Sequence, residues 1–338
     1  MEKIAIVTDA WHPQINGVVT TLTKTIHHLK EFGFQVKTIT PDRFKSIPCP
    51  SYNEISLALA GPKRIEKELL EFEPNCVHIA TEGPLGWGTR SICRKRNFQF
   101  SSSYHTRFPE YVRMRWPIPL RLSYKVVKQF HGRAAKTMVA THSLIEELGG
   151  RGFKNLVHWS RGVDTNLFKP HVRKVPNKKP VFIYVGRVAV EKNIEAFLKL
   201  DLPGNKIVVG DGPAKEKLSR QYPQTLFTGY KKGQELVDLL ASADVFVFPS
   251  LTDTFGVVIL EAMAAGLPVA AYPVTGPLES VVNGVNGYLD HDLKKAAIMA
   301  LSVSSDKCRN YALNNTWETC AKQFCNNLII QKPLTYSR

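Results

Sequence analysis

Two carboxylates, Asp253 and Glu261, mark a candidate site for a phosphate-bearing ligand within Phe248–Val269 (FPSLTDTFGVVILEAMAAGLPV). The apolar run Val245–Phe248 reads as a strand ended by Pro249, and the loop Ser250-Leu251-Thr252-Asp253-Thr254 sets polar groups at its carboxyl end. A helix is expected from about Phe255 to Ala265, stopped by Gly266 and Pro268. Ligands of open α/β sheets sit outside the carboxyl ends of parallel strands. A helix N-terminus placed there offers free N–H groups and the positive end of a dipole, which suit a phosphate. The two carboxylates form no metal or nucleophile signature by themselves. The plainer alternative is an Asp that caps the helix and a Glu that is buried and hydrogen-bonded.

Cations sit where such a site needs them. A strand at Val181–Val185 runs into Gly186-Arg187, and Lys192 follows five residues later at a helix start. Glycine lets a ligand approach the backbone, Arg forks onto phosphate oxygens, and Lys adds a point charge, so the set suits a diphosphate. A solvated loop carrying Arg and Lys is the alternative. Gly210-Asp211-Gly212-Pro213 is a second strand-to-helix glycine turn, with Pro at a first helical position. Near the start, the strand Lys3–Thr8 is followed by Asp9, WHPQING ending at Gly17, and a helix over about Val18–Phe32. Tyr104-His105-Thr106-Arg107 closes a strand at Phe98–Ser103, again at a carboxyl end.

These pieces need a frame of alternating strands and helices, and the chain supplies it twice. In the first half the strands are Lys3–Thr8, Gln35–Thr40, Cys76–Ala80, Phe98–Ser103, Thr137–Ala140 and Asn155–Trp159. Helices fall between them, at Pro62–Phe72, from Pro84 to about Lys95 and near Ser143–Gly149. In the second half the strands are Val181–Val185, Lys206–Val209, Thr225–Phe227, Val245–Phe248 and Val269–Ala271, with helices beginning near Asn193, Pro213, Gly233, Phe255 and Pro277. Such alternation predicts α/β domains with parallel sheets. The basic, Pro-bearing stretch His171–Pro180 reads as the linker. The expected division is 1–170, 171–312, and a last helix (about Thr316–Ile330) with its tail over 313–338, the helix returning to the first domain.

The 338 residues suffice for two cores, and 43% apolar with 22% charged residues describes a globular chain. No run of about 18 apolar residues offers a transmembrane helix, and the opening MEKIAIVTDAWHPQ does not read as a signal peptide. Six cysteines without CxxC or zinc spacing read as reduced thiols of a cytoplasmic protein. The net charge of +16 is uneven: residues 1–169 hold 25 basic and 14 acidic residues. The first half is therefore the half expected to meet a negative partner, whether nucleic acid, anionic membrane or phosphorylated substrate.

Between Arg107 and Lys136 stand eight basic residues and one acidic residue, Glu110. From Pro119 to Lys136 the pattern is helical. Arg121, Lys125, Lys128 and Lys136 fall on one face and Leu122, Val126, Phe130 and Ala134 on another. Two readings stay open for this helix: a solvated basic face, or a contact with an anionic membrane, where each basic residue contributes about 1 kcal/mol.

Taken together, GRVAVEKN (Gly186–Asn193), VVGDGP (Val208–Pro213), ADVFVFPS (Ala243–Ser250) and TFGVVILEAMAAGLPV (Thr254–Val269) resemble the retaining family-4 glycosyltransferases of the GT-B fold. The resemblance covers nearly the whole chain. SYHTRFPEYVR (Ser103–Arg113) and WSRGVDTNLFKP (Trp159–Pro170) are similar to a bacterial subgroup. That subgroup includes GDP-mannose-dependent α-mannosyltransferases and the enzymes that place glucosyl, glucuronosyl or sulfoquinovosyl groups on diacylglycerol. The resemblance implies two Rossmann-like doubly wound domains facing across a cleft. It implies that Arg187 and Lys192 hold the donor diphosphate as leaving group and that Glu261 binds the ribose. It places Asp253 at the donor sugar. Gly186, Thr254, Phe255, Gly256 and Val257 join the donor-binding set, the last three through backbone N–H groups. His105 would face the reacting sugar from the first domain, and Gly17 would lie against the diphosphate from the other side of the cleft.

Two positions depart from the family pattern. Its usual pair is Glu, seven residues, Glu, whereas Asp253 is one methylene shorter and reshapes the sugar contact. The loop after strand one often carries two glycines, where this chain has Asn16-Gly17, and Asn tolerates a left-handed backbone. Breaking the bond between an anomeric carbon and a diphosphate separates positive sugar from negative phosphate, so cations and a helix N-terminus at the phosphate act where charge develops. Asp290-His291-Asp292 matches an Asp-x-Asp metal motif but stands at a helix start, where capping is expected.

The expectation is a metal-independent hexosyltransferase without cofactor. It would act on a UDP- or GDP-sugar and a membrane lipid such as diacylglycerol, peripherally on the inner face of the cell membrane. Arg121, Lys125 and Lys128 would be its membrane contacts. The same chemistry on a soluble or polysaccharide glycan is the alternative within the class. A nucleic-acid-binding module has only the charge and the aromatics Tyr104, Phe108, Tyr111 and Trp116 behind it, so no nucleic-acid partner is expected. A catalytically silent scaffold has only Asp253. Oligomeric state is left open.

Overall fold

A computed structural model describes residues 1–14, 16–49, 52–170 and 178–336. The chain forms two compact units, Met1–Ser160 with Trp317–Arg338, and Arg161–Thr316. The first boundary thus falls at 160/161 rather than 170/171, and the expected linker His171–Pro180 lies mostly outside the described residues.

The first unit runs β1 (Lys3–Val7), α1 (Gly17–Glu31), β2 (Gln35–Ile39), β3 (Ser46–Cys49), β4 (Tyr52–Ala58), α2 (Pro62–Phe72), β5 (Cys76–Ile79), α3 (Pro84–Lys95), β6 (Ser101–Tyr104), α4 (Phe108–Arg115), α5 (Leu120–His131), β7 (Lys136–Val139), α6 (His142–Gly150) and β8 (Leu156–His158). Six parallel strands pair in the order β2-β1-β5-β6-β7-β8. The strands β3 and β4 form a separate antiparallel pair that the sequence reading leaves out. β1 and β5 are apolar and buried on both faces, as parallel strands covered by helices must be. β6 reads SSSY and is just as buried. Its polarity is satisfied from within. His78 bridges Ser101 (2.9 Å) and Ser103 (2.8 Å), and Ser102 meets His131 Nδ1 (2.8 Å) and Thr137 Oγ1 (3.1 Å). Burial, helped by His131, pushes the His78 pKa down to about 3, so its ring is neutral.

The second unit runs β9 (Val181–Val185), α7 (Ile194–Leu198), β10 (Asn205–Val209), α8 (Lys215–Gln221), β11 (Leu226–Gly229), α9 (Gly233–Ser242), β12 (Val245–Phe248), α10 (Val257–Ala264), β13 (Val269–Ala271), α11 (Thr275–Ser280), β14 (Gly287–Leu289), α12 (Leu293–Ala300) and α13 (Ser305–Leu313). Its six parallel strands pair in the order β11-β10-β9-β12-β13-β14. Counted within the unit this is 3-2-1-4-5-6, the Rossmann order, with its switch point between β9 and β12. The VFIYV and VFVF runs make these two strands fully buried. Asp292 caps α12, accepting from Lys294 and Lys295 N–H, and Asp290 pairs with Lys295 (2.7 Å).

The chain then returns to the first unit through α14 (Trp317–Asn327), which packs on α1. Phe324 on α14 meets Trp159 (4.9 Å between ring centroids) and His78 (4.8 Å). Beyond α14 the tail straps the sheet's lower edge. The N–H of Gln331 reaches Asn75 O and that of Leu334 reaches Pro74 O, while the Gln331 side chain pairs with the Gln99 backbone in both directions. Leu334 ends inside the first unit's core.

The basic helix is shorter than expected, and only part of its apolar grouping is buried. α5 ends at His131, and Lys136 starts β7 instead of extending the basic face. The buried face is Tyr124, Val127, Phe130 and His131, which leaves Leu122 and Val126 more than half exposed (56% and 53%). This orientation follows from polar anchoring: the Tyr124 hydroxyl donates to Glu110 (2.6 Å), and buried Arg90 donates to the carbonyls of Gln129 and Phe130. Among the described residues no helix is long and apolar enough to cross a membrane. The five cysteines with described side chains are free, and burial pushes the Cys76, Cys93 and Cys308 thiols up to about 12.

Candidate active site

In the second unit the candidate residues converge at the switch point, where the chain leaves β9 and β12. β9 ends in Gly186, and the turn after β10 crosses it so closely that a Cβ on Gly210 would lie 1.9 Å from the Gly186 carbonyl oxygen. Gly210 also has φ +143°, so glycine is required there for two reasons. The hydroxyl of Tyr184, itself buried on β9, donates to the Arg187 carbonyl (3.0 Å) and fixes the turn that carries the guanidinium.

A short 3-10 turn, Val190–Lys192, leads to Asn193 in the left-handed conformation (φ 52°). Two hydrogen bonds stitch this loop to the one after β12: Asn193 Nδ2 donates to Pro249 O (3.1 Å), and Thr252 Oγ1 donates to Glu191 O (3.2 Å). The stitching brings Lys192 Nζ to 2.5 Å from Asp253 Oδ1 across 61 positions of sequence. The other oxygen, Asp253 Oδ2, is buried with no hydrogen-bond partner among the described residues. Arg187 extends beside the nearly buried Glu191 carboxylate (3.9 Å) and keeps about a third of its side chain open.

α10 begins later than the expected Phe255. Phe255 is buried, and Gly256 holds the N-cap with φ 84°, which a side chain rarely adopts. Asp253 does not cap the helix, and Gly256 at the N-cap position has no side chain to do so. α10 is buried on nearly all sides. Its open stripe is Val257, Val258 and Glu261, at i, i+1 and i+4, so Glu261 is partly exposed on that stripe rather than buried in the core. Thr254 stands partly exposed between Asp253 and Phe255. Gly276, at the start of α11, packs against the Phe255 carbonyl so tightly that a Cβ would come to 2.6 Å.

The structure thus brings Gly186, Arg187, Lys192, Asp253, Thr254, Phe255, Gly256, Val257 and Glu261 into one region of the second unit. His105 and Gly17 belong to the first unit. His105 follows β6 and is buried, its ring edge-on to Trp159 (5.6 Å). Gly17 is exposed at the first position of α1. Asn16 before it is extended (φ −157°) rather than left-handed, and its side chain accepts from the N–H groups of Val18 and Val19 (3.0 Å each). The start of α3 is likewise filled from inside: Asp9 accepts from Thr81 Oγ1 (2.9 Å), Leu85 N–H (2.9 Å) and Gly86 N–H (3.4 Å). Burial raises the Asp9 pKa although these bonds oppose it. Arg121, Lys125 and Lys128 are exposed on α5.

Tyr184, Glu191, Asn193, Thr252 and Gly276 were not singled out from the sequence. For Glu191 and Asn193 a signal existed, since they flank Lys192 and Asn is the residue that best tolerates a left-handed turn. Nothing local marks Tyr184, Thr252 or Gly276, whose partners are distant in sequence.

Residues 15–167 match the family model described as Glycosyltransferase Family 4, and residues 167–302 match Glycosyl transferases group 1. The sulfoquinovosyl transferase SQD2 of Arabidopsis thaliana is 33% identical over 76% of this chain, which spans 56% of that protein. A GDP-mannose-dependent alpha-mannosyltransferase of Mycobacterium tuberculosis is 30% identical, covering 85% of this chain and 83% of that protein. An alpha-monoglucosyldiacylglycerol synthase of Acholeplasma laidlawii is 27% identical, with 79% of each covered. Among solved structures, a sucrose-phosphate synthase from Thermosynechococcus elongatus superimposes with a TM-score of 0.74 at 21% identity, over 96% of this chain and 98% of that one.

Proposed function

The chain belongs to the family-4 glycosyltransferases and has their GT-B fold, and from that premise we propose that it moves a hexosyl group from a UDP- or GDP-sugar to a membrane lipid such as diacylglycerol. The observation that carries the donor half is the Lys192–Asp253 pair on the approach to α10, whose N-cap has no capping side chain, with Arg187 at the neighbouring exit of β9. A dianionic diphosphate placed there meets two cations and a helix dipole, all fixed before it arrives.

The reaction breaks the bond between the anomeric carbon and the diphosphate oxygen. Arg187 and Lys192 stabilise the charge left on the diphosphate. An acceptor hydroxyl forms the new bond on the face from which the diphosphate departs, and its proton passes to a diphosphate oxygen, so configuration is retained. No step calls for a metal or cofactor. Asp253, with one oxygen on Lys192 and the other buried and unmatched, receives a sugar hydroxyl. Glu261 binds the ribose hydroxyls from the open stripe of α10. Gly186, Thr254, Phe255, Gly256 and Val257 line the sugar and phosphates. His105 serves the reacting sugar and Gly17 the diphosphate from the first unit. The lipid acceptor is supported by the exposed basic face of α5 and by a relative named for diacylglycerol. It places the protein peripherally at the inner face of the cell membrane.

The test is a transfer assay with UDP-glucose, UDP-glucuronate, UDP-galactose or GDP-mannose, with and without anionic vesicles containing diacylglycerol. Chelator is present and lipid products are read by mass spectrometry. A glycolipid formed with one donor is the expected result. Donor hydrolysis without glycolipid would remove the lipid acceptor, and loss of turnover in chelator would remove metal independence.

A further inference from the structure

The way α5 is turned leaves part of its apolar face open. Leu122 and Val126 stand open on the same outer face as Arg121, Lys125 and Lys128, the apolar pair along one edge and the cations along the other. The corner that leads into this face, between α4 and α5, is apolar and open as well, with Trp116 and Ile118 each 40% exposed and Met114 beside them. Large exposed apolar side chains so concentrated mark a contact surface.

The corner is also held firmly. Tyr124 ties α5 to Glu110 on α4, Arg151 lies 4.0 Å over the Tyr124 ring, and Arg90 closes the carbonyl end of α5. Charge names the occupant. Glu110 is the single acidic residue between Arg107 and Lys136 and is engaged by Tyr124 and Arg107. A second copy of this face would bring cations against cations. A bilayer with anionic headgroups accepts both the cations and the apolar edge.

We propose that the α4–α5 corner is a wedge for anionic lipid bilayers: Trp116, Ile118, Leu122 and Val126 enter the headgroup–acyl boundary while Arg121, Lys125 and Lys128 rest on the headgroups. Trp at such a boundary keeps its ring apolar and its N–H wet. The inference deepens the lipid-acceptor reading and rests on it, because a wedge at this depth brings the first unit to the level where a diacylglycerol hydroxyl lies.

The test is flotation of the full chain, without donor, on vesicles of phosphatidylcholine alone or mixed with phosphatidylglycerol, at low and physiological salt. Wild-type protein is expected to float with the anionic vesicles, and brominated acyl chains quench a fluorescence component that Trp116→Phe removes. The pair Trp116→Ser with Ile118→Ser, its folding verified by the melting temperature, lowers the partition at least about tenfold. Replacing Arg121, Lys125 and Lys128 by Gln lowers it further and flattens its salt dependence. Flotation of the serine pair at the wild-type level would overturn the wedge and leave a charge contact only. Failure of wild-type protein to float, or a dimer in free solution that the serine pair dissolves, would also overturn it. The acceptor fails separately. Vesicle binding without glycolipid removes the acceptor and keeps the wedge, while glycolipid made by the serine pair at the wild-type rate removes the wedge and keeps the acceptor.

Discussion

Both units set helix starts at the carboxyl edge of a six-stranded parallel sheet, yet they treat those starts in opposite ways. In the first unit the amides opening α1 are taken by Asn16 and those opening α3 by Asp9. In the second, α10 opens with no capping side chain, and the carboxylate that reaches its approach, Asp253, is held by Lys192. A helix start that already contains a buried carboxyl group has little to offer a phosphate. One whose N-cap carries no side chain keeps its amides available to a ligand. The same frame thus differs between its two copies in a few capping side chains.

The contrast breaks most visibly at Lys192. Lys192→Ala is expected to lower kcat/KM by about 10²–10³ in the transfer assay, the scale of losing one charge stabiliser of a transition state, with the melting temperature unchanged. Because the substitution also leaves Asp253 bare beside the diphosphate, adding Asp253→Asn should cost less than the two single effects combined. Additive losses would show that the pair does not act together. Next in size, Leu334→Ala removes a core side chain of the first unit and is expected to destabilise by about 2–4 kcal/mol in chemical denaturation. Donor affinity measured by calorimetry should stay as it was, since Leu334 belongs to the core of the first unit, apart from the proposed donor residues of the second unit.

Asn16→Ala sharpens the contrast itself. Losing the cap should destabilise by about 1 kcal/mol and, since Asn16 takes the amides of Val18 and Val19 and not that of Gly17, leave donor affinity within about twofold; a collapse in affinity would mean that the capped amides serve the diphosphate too. The smallest effect concerns His78. Its folded pKa is depressed by burial, so the unfolded chain binds more protons than the native one below an ordinary His value. Stability is then complete above about pH 6.5 and declines as pH falls from there toward 3. The slope of melting temperature between pH 6.5 and 5 should be smaller in His78→Gln.

Much of the second unit was readable in its sequence because its strands announce themselves. VFIYV and VFVF are continuous apolar runs bounded by Gly and Pro, and both lie where they were expected. The spacing also put Arg187 and Asp253 at strand exits, Lys192 at a helix start and Glu261 on the helix that follows Asp253. The Lys192–Asp253 bond itself was not readable, since it depends on Asn193 and Thr252 joining two distant loops. The first unit hides more. β6 is a row of serines whose burial makes sense only with His78 and His131, which come from other elements, and its strand was displaced toward Phe98. On α5, period grouped Leu122, Val126 and Phe130 on one face, but the fold buries Phe130 together with Tyr124, whose hydroxyl finds Glu110, and leaves the other two open. α4 and the β3–β4 pair left no periodic trace strong enough to read.

The strap formed by α14 and the tail has a consequence for how the molecule is made. The sheet of the first unit is translated early, but Phe324, Gln331 and Leu334, which close it, come from the other end of the chain. During synthesis the second unit, contiguous from Arg161 to Thr316, is therefore finished while the first still waits with an open flank. Domains tend to fold as soon as their residues are available. The part translated first is completed last, and a ribosome that stalls short of Trp317 leaves the first unit without the segment that closes it.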